Sequence, residues 1–78
     1  QIVTNVKVRE KRPFEELDNV LDLVREAETE VHQAGGRVLL RYSGTEPKAR
    51  LLIEGRDPHT IESWSRKITD CIRRQLGA

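Results

Sequence analysis

Residues 41–50 read Arg-Tyr-Ser-Gly-Thr-Glu-Pro-Lys-Ala-Arg and join two short apolar runs at residues 38–40 and 51–53. Turn-forming residues between two strand-like runs predict a β-hairpin. The same segment holds a serine, a threonine, a glycine, a proline and three cations. Arginine pairs with phosphate oxygens, hydroxyls donate to them, and glycine lets backbone N–H groups approach a ligand closely. The segment therefore predicts an anion site on a hairpin.

The register of this hairpin follows from its residues. When Arg41 is placed opposite Arg50, Arg37 comes opposite Glu54, and the pairs between them are all apolar: Leu40 with Leu51, Leu39 with Leu52, and Val38 with Ile53. Like charges directly opposite each other destabilise a sheet. The Arg41–Arg50 pair therefore indicates an anion that normally lies between the two side chains. Two solvated arginines at the mouth of a loop, or a register shifted by one or two residues, are the alternatives.

The composition indicates one small domain at residues 1–78. Of its 78 residues, 35% are charged and 36% are hydrophobic, and the net charge is +1. These values are typical of a small globular domain with a modest core, and the balanced charge disfavours a domain that binds the nucleic-acid backbone. No apolar run approaches the roughly 20 residues that span a bilayer. Charged residues interrupt the N-terminal stretch, which does not resemble a signal peptide.

Cys71 is the only cysteine of the chain, so an internal disulfide and a metal site of several cysteines are excluded. It falls on a helical pattern, where a small buried side chain is expected rather than a nucleophile. A single cysteine favours a reducing compartment, the cytoplasm. The chain contains no methionine and starts in a strand-like run, so we expect it to be a piece, the C-terminal part, of a longer protein.

Periodicity predicts the first strand and the first helix. Residues 2–8 alternate as a strand. Apolar residues then recur at intervals of three and four over residues 14–33, which predicts an amphipathic helix. Pro13 suits the start of this helix, and the pair Gly35–Gly36 suits its end.

The hairpin strands are predicted at residues 37–42 and 50–55, followed by a second helix that Asp57 caps and Pro58 opens. The order β-α-β-β-α predicts an α+β fold. It should be a two-layer sandwich, with a small, mainly antiparallel sheet and two helices on one face. The face under the helices is expected to consist of Ile2, Val6, Val8, Val38, Leu40, Leu51 and Ile53. The other face carries apolar side chains among charges, and the parent protein is expected to cover part of it.

Residues 41–50 resemble the phosphate-binding loop of the C-terminal domain of α-D-phosphohexomutases. The family pattern is Arg-x-Ser-Gly-Thr-Glu-Pro-x-x-Arg, and the chain matches every specified position. The likeness extends over nearly the whole chain, although only this ten-residue motif is specific. The members that the chain most resembles act on phosphoglucosamine or phosphomannose.

The resemblance implies a fourth domain that closes over a hexose phosphate and grips the phosphate that is not transferred. It assigns the phosphate contacts to Arg41, Ser43, Gly44, Thr45 and Arg50, and supporting roles to Glu46, Pro47 and Lys48. The family reaction is an isomerisation, in which a phosphoryl group moves between O1 and O6 of the sugar. A phosphoserine and Mg²⁺ in the first domain carry that chemistry. The resemblance therefore implies that this domain holds no catalytic residue and no metal, and that its partners are the substrate and the other domains, not nucleic acid or a membrane.

Several side chains near the motif have roles that the sequence predicts only in part. Tyr42 is expected to point away from the arginines and to pack. Glu46 is expected to orient a neighbouring cation by an ion pair, whereas Lys48 either adds positive potential or is a solvated loop cation. His32 and His59 have no companion at metal-ligand spacing, so a metal role is not expected of them.

Two other classes of protein stay open. A small α+β nucleic-acid-binding module would use the same arginines on a phosphodiester backbone. The chain has only three aromatic residues and no aromatic pair on a strand, which disfavours stacking on bases. A ligand-sensing or dimerisation module with a ferredoxin-like sheet would instead form a stable dimer.

Overall fold

The computed structural model describes all 78 residues and has a three-stranded antiparallel sheet, with strand order β1-β3-β2. The elements in chain order are β1 (Ile2–Lys7), a 3-10 turn (Phe14–Glu16), α1 (Val20–His32), β2 (Arg37–Tyr42), β3 (Lys48–Glu54) and α2 (Pro58–Leu76). The segment between β1 and β2 carries α1 across the sheet, and β3 then enters between these two strands. The predicted α+β class and element order are confirmed.

β3 is the central strand, since it pairs with β1 on one side and with β2 on the other. Its side chains alternate cleanly between the two faces of the sheet. Ala49, Leu51 and Ile53 are buried, while the residues between them are half-buried. The pairing of β2 with β3 has the predicted register, with Arg41 opposite Arg50. β3 starts at Lys48 rather than at residue 50, since the Ser43 N–H donates to the Lys48 carbonyl at 2.9 Å and extends the ladder.

The core lies between one face of the sheet and the two helices. All seven residues predicted for this face point inward, five of them fully buried and two, Ile2 and Leu40, partly so. The helices complete the cluster with Val20, Val24, Ala27, Val31, Ile61, Ile68, Cys71, Ile72 and Leu76. The expected burial of Cys71 is thus confirmed. Thr4 also faces inward, and its hydroxyl shares a 2.8 Å hydrogen bond with the hydroxyl of Ser65.

The first helix is shorter than the periodicity predicts. The prediction of helix from residue 14 is wrong, because α1 begins only at Val20. Residues Phe14–Glu16 form a 3-10 turn, Leu17 is extended with φ −86° and ψ 139°, and Asn19 is left-handed with φ 65°. Apolar spacing continues through the break because Leu17 is still buried in the core.

A long-range clamp explains why the helix does not start earlier. Gln75 of α2 binds both backbone groups of Asp18: the Asp18 N–H donates to Gln75 Oε1 at 2.8 Å, and Gln75 Nε2 donates to the Asp18 carbonyl at 2.9 Å. Cys71 Sγ donates to the same carbonyl at 3.3 Å. These bonds replace the ones that a continuous helix would make.

The predicted glycine pair does end α1. Gly35 is left-handed with φ 80°, and the Gly36 N–H donates to the Val31 carbonyl at 2.8 Å. A Cβ on Gly36 would lie 2.0 Å from the Glu54 carbonyl oxygen. Only glycine therefore allows the chain to pass this close to the end of β3 as it enters β2.

α2 begins as predicted, with Asp57 as its cap and Pro58 in its first turn. The two carboxylate oxygens of Asp57 accept from the Thr60 hydroxyl at 2.9 Å and from the His59 N–H at 3.0 Å. These bonds, that of Thr60 first, hold the pKa of Asp57 below its ordinary value of 3.8. Neither helix has the length and the apolar character that crossing a membrane requires.

Candidate functional site

Arg41 and Arg50 lie directly opposite each other on neighbouring strands. Both side chains point away from the helices, and side chains in opposite positions start about 4.5–5.5 Å apart. Arg41 makes no hydrogen bond or ion pair within the protein, and the only partner of Arg50 is Asn5, whose Oδ1 accepts from the Arg50 Nε at 3.3 Å. No carboxylate neutralises either arginine. The pair is therefore a concentrated positive charge with donors to spare.

Arg37 is an arginine of the same sheet that is paired with a carboxylate. It lies on the same strand and the same face as Arg41, and it is also exposed. Its opposite residue is Glu54, and the Arg37 Nε lies 2.7 Å from the Glu54 Oε1. The contrast makes the opposed pair at Arg41 and Arg50 a specific feature of the loop end of the hairpin.

Ser43 shapes the loop that connects the two arginines. Its Oγ accepts from the Thr45 N–H at 3.4 Å and from the Glu46 N–H at 3.2 Å. A serine that caps a turn in this way uses only its lone pairs. The hydroxyl hydrogen of Ser43 can still be donated to a ligand.

The tip of the loop carries donor groups that have no acceptor in the protein. Neither the Gly44 N–H nor the Thr45 hydroxyl makes a hydrogen bond within the chain. Two explanations account for a glycine at position 44: a positive φ, or the close approach of a ligand to the backbone. The φ of Gly44 is not in the left-handed region, so the first explanation is wrong, and a Cβ there would meet nothing within 4 Å. We therefore still predict that a ligand approaches the backbone at Gly44.

The second half of the loop contains the three residues for which supporting roles are predicted, Glu46, Pro47 and Lys48. Glu46 pairs with Lys48, whose Nζ lies 3.5 Å from the Glu46 Oε1, so its carboxylate is bound to a cation other than the two arginines. The Pro47 carbonyl accepts from the Val8 N–H at 2.9 Å and ties the loop to the end of β1. A hollow of about 440 Å³ lies beside this tie, lined by Asn5, Lys7, Val8, Glu46, Pro47, Lys48 and Ala78.

Tyr42 packs on the inner side of the sheet, as predicted. Its ring stacks on Phe14 with 4.2 Å between centroids and 13° between planes. Its hydroxyl donates to the Arg12 carbonyl. Burial raises the pKa of Tyr42 above the ordinary value of 10.0. The positive charge of Arg12 partly offsets this rise, and the negative charge of Glu10 adds to it.

No aromatic side chain lies on the outer face of the sheet. Phe14 and Tyr42 stack with each other at its inner side, and Trp64 lies on α2, where its Nε1 donates to Glu30. The outer face presents Val3, Leu39 and Leu52 instead. A sheet that stacks nucleic-acid bases needs aromatic residues on its open face, so this arrangement disfavours such a module.

Two residues of the site were missed by the sequence analysis. Asn5 reaches Arg50 from β1, and Lys11 reaches the loop from the connection after β1, where its Nζ donates to the Ser43 carbonyl at 2.5 Å. Alternation along residues 2–8 places Asn5 on the outer face, but only the pairing of β1 with β3 brings it beside Arg50. No sequence signal marks Lys11.

No three His, Cys, Asp or Glu side chains lie close enough together to hold a metal ion. The oxygen ligands that Mg²⁺ requires are therefore not assembled by these residues.

Comparison with known families matches residues 3–70 to the phosphoglucomutase/phosphomannomutase C-terminal domain. The chain belongs to this family. The matched residues include the whole β2–β3 hairpin with both arginines. The resemblance proposed from the ten-residue motif is thus confirmed, and it covers most of the chain.

Several proteins named phosphoglucosamine mutase match this chain over almost the entire length of the chain. One from Solibacter usitatus is 46% identical over 77 residues, and one from Pelobacter propionicus is 39% identical over 77 residues. One from Chlamydia trachomatis serovar D is 41% identical over 78 residues. The matches cover 99–100% of this chain and 17% of each relative. The chain thus spans about a sixth of the length of these mutases.

Proposed function

We propose that residues 1–78 form the substrate-phosphate-binding domain of a phosphohexomutase. The names of the relatives favour phosphoglucosamine as the substrate of the whole enzyme, an isomerase. The observation that carries the proposal is the opposed pair Arg41 and Arg50, which no carboxylate neutralises. A phosphate dianion between them supplies the missing negative charge.

The loop offers a phosphate several kinds of donor. Arg41 and the free end of the Arg50 guanidinium make charge-assisted bonds, which are the strongest available to a phosphate oxygen. The hydroxyls of Ser43 and Thr45 and the N–H of Gly44 donate to the remaining oxygens. Because the internal bonds of Ser43 and the tie at Pro47 already fix the loop, little ordering is needed on binding.

The role of this grip is to position the substrate. A phosphate held at one end of the sugar fixes where the other end lies, and binding energy remote from the reaction lowers the barrier in this way. The loop contributes no nucleophile or general base, so we expect the isolated chain to be inactive. Catalysis would require the remaining domains of the parent enzyme.

A chemical-shift titration of the isotope-labelled chain with glucosamine 6-phosphate tests the site. We expect amide shifts confined to residues 41–50. Arg50→Ala should weaken the affinity more than tenfold, because hydrogen bonds to charged groups contribute about 1.5–3 kcal/mol. Arg37→Ala is the matched control, since it removes an arginine from the same face that is already paired with Glu54, and its affinity should equal that of the wild type.

Two results would contradict the proposal. One is unchanged binding by Arg50→Ala. The other is a set of shifts along the basic face of α2, at Arg66, Lys67, Arg73 and Arg74. A parallel titration with single-stranded RNA, in which salt-dependent binding exceeds that of the sugar phosphate, would favour the nucleic-acid module instead.

A further inference from the structure

The connection between β1 and the 3-10 turn lies against the entrance of the β2–β3 loop. Lys11 donates to the Ser43 carbonyl, and the carbonyl of Arg12 accepts from the Tyr42 hydroxyl. Phe14, where the connection ends, stacks on the Tyr42 ring. Three contacts thus join this connection to two consecutive residues at the end of β2, although about 30 residues separate them in sequence.

The contact of Lys11 acts on one particular peptide group. The Ser43 carbonyl and the Gly44 N–H belong to the same planar peptide, which is trans like every peptide of this chain. In a trans peptide the C=O and N–H bonds point in opposite directions. When Lys11 holds the carbonyl oxygen, it therefore fixes the opposite direction for the Gly44 N–H, which has no acceptor in the protein.

The peptide needs such an anchor because Gly44 follows it. Glycine populates both halves of backbone torsion space with little cost, so a peptide next to an exposed glycine can rotate. A Cβ on Gly44 would meet nothing within 4 Å, and the bond from Lys11 is the only hydrogen bond that this peptide group makes. The Lys11 ammonium also polarises the carbonyl that it holds, which makes the N–H of the same peptide a stronger donor.

We propose that Lys11 is a positioning residue of the phosphate site, which presents the Gly44 N–H to the ligand by anchoring the Ser43 carbonyl. This inference rests on the proposed function of the loop. It adds a residue from outside the motif and from a different part of the chain. Lys11 acts on the ligand through the peptide and, as a cation beside the loop, adds to the positive potential there.

Substitution of Lys11 separates positioning from folding. Lys11→Met removes the ammonium and keeps the length of the side chain, while Lys11→Arg keeps a cationic donor. Since Lys11 is exposed, neither change should alter the melting temperature measured by circular dichroism. Lys67→Met is the matched control, because Lys67 lies over the Trp64 ring on α2, away from the loop.

We expect Lys11→Met to bind inorganic phosphate and glucosamine 6-phosphate about three- to tenfold more weakly, because the ligand loses one well-positioned backbone hydrogen bond and not a direct contact with a charged group. Lys11→Arg should recover most of this loss, and Lys67→Met should bind like the wild type. In the unliganded chain, Lys11→Met should shift the Gly44 amide resonance and Lys67→Met should not. The loss of affinity should persist at about 1 M salt, where the Debye length is only about 3 Å.

Wild-type affinity in Lys11→Met together with an unmoved Gly44 resonance would overturn the inference. So would a loss of affinity that disappears at high salt, since Lys11 would then act only as a distant charge. Failure of the proposed function looks different: the wild type would not bind either anion, or Arg50→Ala would bind as tightly as the wild type. The Gly44 resonance of the unliganded chain tests the anchor in either case.

Discussion

Gly44 and Gly36 are glycines for different reasons. A Cβ on Gly36 would collide with the Glu54 backbone, whereas a Cβ on Gly44 would meet nothing. The fold therefore explains Gly36 and leaves Gly44 unexplained. Gly44 lies between two hydroxyl side chains and has a free N–H, which is where the proposed ligand would make its closest approach to the backbone.

Substitution by alanine should have opposite effects at Gly44 and at Gly36. Gly44→Ala should leave the free energy of unfolding within about 0.5 kcal/mol of the wild type and weaken phosphate binding about tenfold, because the added methyl group separates the backbone from the ligand. Gly36→Ala should lower the free energy of unfolding by about 1–3 kcal/mol through overpacking. Urea denaturation and phosphate titration measure the two effects. Equal affinity for phosphate in Gly44→Ala and the wild type would mean that the ligand does not approach this backbone.

Residues near the motif were predictable when their roles depend on the hairpin alone. The opposition of Arg41 and Arg50 follows from matching neighbouring side chains, so the sequence predicted it. Asn5 and Lys11 were missed because they come from another strand and its connection, and only the tertiary fold brings them to the loop. An ion pair between Glu46 and a neighbouring cation was predicted, but the sequence did not distinguish Lys48 from the two arginines of the motif as the partner.

The two helices differ in how far the local sequence determines where each of them begins. The start of α2 was predicted because Asp57 and Pro58 determine it within one turn. The start of α1 was predicted wrongly because Gln75, on the other helix, binds the backbone of Asp18 and stops helix formation there. Apolar periodicity reports which side chains face the core, and Leu17 does so from an extended residue.

The cap of α2 gives this helix a pH-dependent stability. The folded-state pKa of Asp57 is lowered, so its stabilising contribution is complete above the ordinary value of 3.8 and is lost as the pH falls through the lower folded value. Asp57→Ala should lower the melting temperature at neutral pH, and Asp57→Asn should do so less because asparagine also caps. The difference between wild type and Asp57→Ala should shrink on acidification below about pH 4.

Asp70→Asn is the control for this prediction. Asp70 lies on the same helix beyond the first turn and makes an exposed pair with Arg73, so its loss should change the melting temperature little. If the Asp57 and Asp70 variants melt alike over the whole pH range, the cap does not contribute as described.

The two faces of the sheet differ at the scale of the whole molecule. The inner face is covered by both helices, whereas the outer face carries a row of apolar residues across all three strands: Val3, Leu52 and Leu39 are opposite one another in the register. The next row is Asn5, Arg50 and Arg41. The proposed phosphate site and the apolar row thus share one surface that the chain itself does not cover.

One leucine from each face of the sheet can test this difference in burial. Leu51 is 1% exposed and Leu39 is 47% exposed, and both lie in strands. Leu51→Ala should lower the free energy of unfolding by about 2–5 kcal/mol, because it removes apolar contacts and leaves a cavity. A domain of this kind has about 5–15 kcal/mol in total, so the variant should be only marginally folded.

Leu39→Ala should lower the free energy of unfolding by no more than about 0.5 kcal/mol. Urea denaturation compares both variants with the wild type. A loss in Leu39→Ala as large as that in Leu51→Ala would show that the outer face is buried in solution, as in a dimer, and light scattering of the wild type would then reveal it.

The central position of β3 also affects the order in which the strands can pair during synthesis on the ribosome. β1 and β2 make no ladder with each other, and each pairs only with β3. While the chain is being synthesised, the first strand therefore waits without any backbone partner until the third has left the exit tunnel. The β2–β3 hairpin is the more local of the two pairings, so we expect it to form first and the amino-terminal strand to join it afterwards.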